Sequence, residues 1–420
     1  MHRLFASLAM LALLCCCNVV LADPATRARP NVVILLSDDQ AYTDYGFMGH
    51  PQITTPHLDQ LAKESLTFTR GYVPTSLCRP SLMTLLTGRY AHDHLVTGND
   101  PSPGTNRAEI LQHIQRLKVL PAILREQGYK TLQTGKWWEG SPELGGFTSA
   151  MTHGDPKRGG RHGDEGLKIG RQGIQPIKDF LDSTGKEPFF IWYAPMLPHT
   201  PHNPPEEWIA KYRGKNNSVH VDRYHAMCSW WDHTCGEVLA ELKNRKLEEN
   251  TIVVYLCDNG WIQDPIAPKY APRSKRSPNE GGVRTPIMLK WPGHITPRFD
   301  QTTLASSIDV VPTLLRALQL DVPKDLPGID LVSLREGQNR PGNALFGEIF
   351  EHDIPDVTKA HPGLMYRWCI QDTWKLIVSA DGKSVELYDL KSDPGETKNL
   401  AAAAPDRVQA MLTLLDRWWK

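Results

Sequence analysis

Two acidic pairs and one cysteine are the residues of this sequence best suited to chemistry. "LLSDDQ" sets Asp38 and Asp39 behind the β-branched run "NVVIL", and "LCDNG" sets Asp258 and Asn259 behind "TIVVY". Three carboxylates and an amide oxygen form a hard donor set that suits Ca²⁺ or Mg²⁺ rather than a soft metal. Taken singly, Asp-Asp and Asp-Asn-Gly are ordinary turn residues. Their shared position behind two strands is what points to a common cation. No CxxC or histidine pair has the spacing of a zinc site.

The cysteine opens "CRPSLMTLLTGR", Cys78 to Arg89, where Pro80 suits the first turn of a helix. A helix start offers free N–H groups and a positive dipole end, which attract an anion and would favour a thiolate. The same residues also read as a buried cysteine packed under a helix.

These residues need a scaffold that gathers strand ends. "NVVILLS", "KTLQTGK" (Lys130–Lys136), "PFFIWYAP" (Pro188–Pro195) and "TIVVYLC" are apolar runs of strand length. Helical periodicity lies between them, in "TPHLDQLAKES", "VLPAILREQG", "IQPIKDFLDS" and "RYHAMCSWWDHTCGEVLAELKNR". The alternation predicts an α/β fold with an open, mostly parallel sheet covered by helices on both faces. Ligands in such sheets bind at the carboxyl ends of strands, where Asp38, Asp39, Asp258 and Asn259 all fall. From about residue 340, "ALFGEIFE", "MYRWCIQDTWKLIVS" and "VELYDL" predict a small antiparallel sheet covered by a last helix, Pro405 to Trp418. The expected organisation is a targeting segment 1–22, a catalytic domain 23–339 and a C-terminal subdomain 340–420. The Gly/His/Arg-rich stretch Gly154–Gly173 reads as a surface loop.

With 47 Lys+Arg against 47 Asp+Glu the chain is formally neutral, so charge gives no argument for a nucleic-acid or anionic-membrane partner. At 40% hydrophobic and 22% charged residues it can bury a large core. His2 and Arg3, the apolar run to Leu21, and the small residues Val20 and Ala22 predict a cleaved export signal. The mature protein is then periplasmic or secreted, without membrane attachment. Cleavage leaves Cys78, Cys228, Cys235, Cys257 and Cys369. Cys228 and Cys235 sit two helical turns apart, too far to bridge easily, and mostly buried thiols are expected.

In chain order, "NVVILLSDDQAYTDYG", "TPHLDQLAKESLTFTRGY", "CRPSLMTLLTGR", "TGKWW", "APMLPHTPH", "CDNG", "SKRSPNEGGVRTPIMLKWPG", "DVVPTLL" and "ELYDLKSDPGETKNLA" cover nearly all of the mature chain. Together they resemble the type I, formylglycine-dependent sulfatases of the alkaline phosphatase superfamily. The resemblance implies an alkaline-phosphatase-like fold and hydrolysis of a sulfate ester, on a sulfated small molecule or glycan. It implies that a maturation enzyme oxidises Cys78 to formylglycine, whose hydrated aldehyde is the nucleophile. Asp38, Asp39, Asp258 and Asn259 would hold calcium, with magnesium the second choice, against residue 78. Asp258 would also help deprotonate the attacking hydroxyl. Lys136 and Lys275 match sulfate-binding lysines, and His199 matches the histidine beside the leaving oxygen. His202 is a weaker pocket candidate, while His92, His94 and His352 read as structural or surface residues. Two positions depart from the pattern. Leu82 stands where the family has an arginine, and Trp138 where it has a histidine. A phosphatase or phosphodiesterase of the same superfamily, and a non-catalytic sulfated-glycan-binding protein, remain as rival readings.

Overall fold

The computed structural model describes residues 29–105, 107–153, 165–335, 338 and 340–419. The predicted targeting segment and residues 154–164 of the predicted loop lie outside the described residues. At the centre is the strand Asn31–Ser37, buried at every position. Its side chains alternate between two cores, as strand geometry requires. Val32, Ile34 and Leu36 pack with Met83 and Leu86 of the helix Cys78–Thr87. Val33 and Leu35 pack with Met227 and Trp231 of the long helix Val219–Asn244. Each such apolar side chain stabilises the fold by roughly 1.5–3 kcal/mol on burial, so the acidic residues that follow this strand sit on a stiff base.

Among the described residues the main sheet has nine strands. Its spatial order runs Ala305–Ser306, Leu66–Tyr72, Arg284–Lys290, Thr251–Cys257, Asn31–Ser37, Phe189–Ala194, Lys130–Gly135, Ser149–Ala150, and Arg298–Asp300 pairs beside Leu66–Tyr72. The pairs around the centre are parallel. Arg284–Lys290 alone runs against both its neighbours, so it begins at the edge where the parallel strands end. The loop before it therefore reaches the same rim as Asp38 and Asp258.

Leu66–Tyr72 and Arg284–Lys290 are strands that local sequence reading does not single out. Pro286 argues against a central strand because it cannot donate to the ladder. The sheet accommodates it with a bulge in the facing strand, where the register shifts between Phe68 and Gly71. On the other side the ladder with Thr251–Cys257 covers only Met288 to Lys290.

The second sheet orders Ala344–Phe350, Leu364–Gln371, Trp374–Ser379 and Val385–Asp389, all antiparallel. The helix Pro405–Trp418 covers one face through Met411 and Leu415. The other face packs Trp368 and Ile377 against Tyr72, Val73 and Val283 of the main body. All five described cysteines are buried, free thiols. Among the described residues, no helix is long and apolar enough to cross a membrane.

Candidate active site

Asp38 and Asp39 leave the central strand in different directions because the backbone turns sharply between them. Asp38 N–H still bonds Leu197 O at 2.9 Å, whereas Asp39 takes a left-handed φ of 62°. Aspartate tolerates that region better than most residues, and Asp39 N–H donates to Asp258 Oδ1 at 3.1 Å. Asp258 N–H continues the ladder to Ser37 O at 3.0 Å, which fixes the second acidic pair beside the first.

Lys136 follows Gly135, whose φ of +77° and close approach to the next strand admit only glycine: a Cβ there would lie 1.9 Å from Ala194 O. The turn sends Lys136 Nζ to both carboxylate oxygens of Asp38, at 2.8 and 2.7 Å. From the opposite side Lys275 Nζ reaches both oxygens of Asp39, at 2.6 and 2.8 Å, and Cys78 Sγ at 3.2 Å. The loop carrying Lys275 is anchored at Glu280, which is buried and accepts from Lys375 (3.0 Å), Tyr72 (3.1 Å) and Arg284 (3.3 Å). The C-terminal sheet thus supplies one of the charges that hold this loop. His199 Nε2 lies 3.3 Å from Asp39 Oδ2. Its Nδ1 is 2.6 Å from Thr200 O, a carbonyl that can only accept, so Nδ1 carries the hydrogen.

Cys78 Sγ sits 3.9 Å from Asp38 Oδ1 and 4.0 Å from Asp39 Oδ1. Ligand atoms of Asp38, Asp39, Cys78 and His199 all lie within 4.8 Å of one another. Asp258 Oδ1 accepts from the backbone N–H of Asp39 and Asn259, and Asn259 Nδ2 donates to Asp39 Oδ1 at 2.7 Å. Asp258 Oδ2 and Asn259 Oδ1 are buried with no hydrogen-bond partner among the described residues. Orphaned buried acceptors are costly. Two of them beside two further carboxylates fit a hard divalent cation, and these four residues would be its ligands.

Titration behaviour reflects that crowding. Burial works against ionised Asp38, but Lys136, His199 and Lys275 together hold its carboxyl well below the usual range. Burial and repulsion from Asp38 push Asp258 far above it. Burial lowers His199 despite the pull of Asp38 and Asp39. Burial also pushes the Cys78 thiol up to about 12, outweighing Lys136 and Lys275. Of the two readings of the helix start, the buried cysteine is the one the structure supports: with the side chain 1% exposed, desolvation exceeds the dipole.

The remaining sequence candidates separate clearly. His202 lines a neighbouring cleft with His199, packed between Tyr224 and Trp261, and its imidazole is pushed down to about 4 by burial. His92 pairs with buried Glu348 at 2.6 Å, and His94 with Thr84 at 3.3 Å. His352 lies on the cleft that contains Cys78, with its ring on Asp353 at 2.6 Å. Leu82 and Trp138 both belong to the apolar core beside the site, and Lys136 Nζ sits 4.8 Å from the Trp138 ring centroid. Sequence reading missed Glu139 and Asn99. Arg79, fully buried, forms two bonds to Glu139 at 2.6 and 2.8 Å, and its backbone N–H donates to Asn99 Oδ1 at 2.9 Å. The only local signal was a carboxylate directly after the "TGKWW" motif.

The family model "Sulfatase" matches residues 30–320, and the model "N-sulphoglucosamine sulphohydrolase, C-terminal" matches residues 272–416. Human arylsulfatase A is 29% identical, over 94% of this chain and 88% of its own length. Human N-acetylgalactosamine-6-sulfatase is 28% identical, over 91% of this chain and 83% of its own. The crystal structure of Ps i-CgsB superposes with a TM-score of 0.76 at 22% identity, covering 93% of this chain and 92% of that one.

Proposed function

The chain belongs to the sulfatase family, hydrolases of sulfuric esters, and from that premise we propose that it releases sulfate from a sulfated carbohydrate at the Cys78 cleft. One observation carries this reading: two buried lysines converge from opposite sides on the acidic pair beside Cys78, with Lys275 Nζ 3.2 Å from its sulfur. A sulfate ester entering there would meet Lys136 and Lys275 as counter-charges in a low-dielectric site, where such contacts are strong. His199 Nε2 is the atom we assign to the leaving oxygen, with Thr200 O keeping the ring's other hydrogen in place. Asp38, Asp39, Asp258 and Asn259 would hold calcium, and magnesium fits the same donor types less well. When bound, the ion supplies Lewis-acid charge on a sulfate oxygen. Cys78 would enter the reaction as formylglycine, made by a maturation enzyme. A thiol held up to about 12 is itself a poor nucleophile, which supports that assignment. The N-terminal apolar segment supports export to the periplasm or outside the cell.

Leu82 favours a second reading, in which Cys78 stays a thiol and the cleft only binds sulfated glycans. Peptide mass spectrometry of Cys78 from the native host, with sulfate release by the same preparation, tests both. An aldehyde at residue 78 and turnover support the enzyme. Unmodified cysteine throughout and no sulfate release would leave the binding protein.

A further inference from the structure

The floor of the Cys78 cleft is balanced by its own residues, and on one side of its mouth His352 sits with Asp100 and Asp353, but the side that carries Arg276 is not balanced. Cys78, Lys136 and Asp39 are nearly inaccessible, whereas Lys269 is exposed and Tyr270 and Arg276 are half-buried on the same cleft. Arg276 follows Lys275 and adopts a left-handed φ of 65°. Its backbone N–H donates to Ser76 O at 2.9 Å and Ser76 Oγ at 3.0 Å, which pins it to the segment leading into Cys78. Its side chain is nonetheless unmatched. Arg276 Nε is buried without a hydrogen-bond partner, and among the described residues no salt bridge joins Arg276 or Lys269, although Asp264 feels the charge of Lys269. A guanidinium with a desolvated, unpaired Nε is unfavourable unless something else completes it. Half-buried Tyr270 lines the same cleft, backed edge-to-face at 5.4 Å by buried Trp261.

We propose that Arg276 and Lys269 form a second anion subsite at the cleft mouth, selecting sulfate esters that carry a further anionic group, a carboxylate or another sulfate. This rests on the sulfatase reading above. The second group binds and is not cleaved, so the subsite acts through affinity. One lost charge-assisted contact corresponds to roughly a 10- to 100-fold change.

The experiment uses the full matured chain and three probes: a monosulfated glucosamine, its disulfated form, and a sulfated disaccharide bearing a uronate. Wild type is expected to prefer at least one doubly anionic probe over the monosulfate by tenfold or more in kcat/KM. R276Q should collapse that ratio through KM, with R276K restoring part of it. Which probe loses preference identifies the second group as sulfate or carboxylate. No preference in wild type, or equal losses on all three probes in R276Q, would overturn the proposal. Should R276Q fail to fold, K269Q on the exposed side chain decides by the same ratio. Calorimetric binding of the three probes to protein with unmodified Cys78 separates the two readings. Absent turnover with retained, Arg276-dependent preference defeats only the hydrolase, while turnover without preference defeats only the subsite.

Discussion

Replacing Glu139 with leucine would strand the Arg79 guanidinium inside the protein. Arg79 is 0% exposed and Glu139 3%, and the pair shares two short hydrogen bonds. Without Glu139 the guanidinium keeps, among the described residues, one hydrogen bond, Nη1 to Asn99 O at 3.4 Å. Breaking one side of a buried pair costs about 3–5 kcal/mol, because the surviving charge is desolvated and uncompensated. For a chain of this size that corresponds to a fall of roughly 4–6 °C in apparent Tm. The double variant Arg79→Met/Glu139→Leu buries no charge and should return to within ~2 kcal/mol of wild type. The pair also joins the residue after Cys78 to the loop after Lys136, so Glu139→Leu should lower sulfate release beyond its effect on folded fraction. Denaturant unfolding of wild type, both single variants and the double gives the coupling energy directly. A single variant costing less than ~1 kcal/mol, or a double whose loss is the sum of the singles, would refute the reasoning.

Calcium added to chelator-treated protein should raise apparent stability by ~2.7 kcal/mol at one hundred times its Kd, and Asp258→Ala or Asn259→Ala should abolish that rise in a thermal scan. Native Cys78, with its thiol held up to about 12, should resist iodoacetamide at pH 8 and react only after unfolding; labelling at the rate of a free cysteine would contradict its burial. Asp232 caps the helix Pro56–Lys63 by accepting from Leu58 N–H at 2.7 Å, and burial pushes its carboxyl up from 3.8 to about 7. The folded state therefore binds this proton more tightly than the unfolded state. Asp232 favours folding below pH 4, and that contribution is lost as pH rises to about 7, by roughly 3–5 kcal/mol. Subtracting the pH profile of Asp232→Asn from wild type should show this slope, and a flat difference would count against it.

Legibility in the sequence followed how local each signal is. The acidic pairs could be read directly, because a buried run ending in carboxylates has one natural place in a parallel sheet. Lys136, Lys275 and His199 carry no such signature; a lysine after a strand or in a loop is usually solvated, and only the family pattern singled them out. Arg276 went unread for the same reason, and its significance appears only when the surrounding carboxylates are seen to be occupied. Cys78 kept two readings, an activated thiolate and a buried thiol, because the dipole of a helix start can be inferred from sequence whereas complete burial of its first residue cannot. The strand Arg284–Lys290 was hidden by Pro286, which is tolerated through a bulge in a strand more than two hundred residues away.

The two departures from the family pattern share a physical logic with the Arg79–Glu139 pair. Leu82 and Trp138 stand where the resemblance implies an arginine and a histidine, and both lie in one apolar core cluster. A polar side chain buried at either position needs a hydrogen-bond partner, so losing one polar group of such a pair would strand the other. With leucine and indole in place of both polar groups, neither position carries a charge that needs a partner. The helix and the lysine loop must still be held in register, and an apolar wall gives little directional control. Two parallel hydrogen bonds between a guanidinium and a carboxylate do give it. Arg79 and Glu139 are neighbours in sequence of Cys78 and Trp138, and they tie together the two segments on which the altered positions lie. On this argument Leu82 and Trp138 mark a rebuilt support for the same lysine and acidic pair. Returning arginine to position 82 alone should therefore destabilise the fold, because it would bury a charge among the apolar side chains of that cluster.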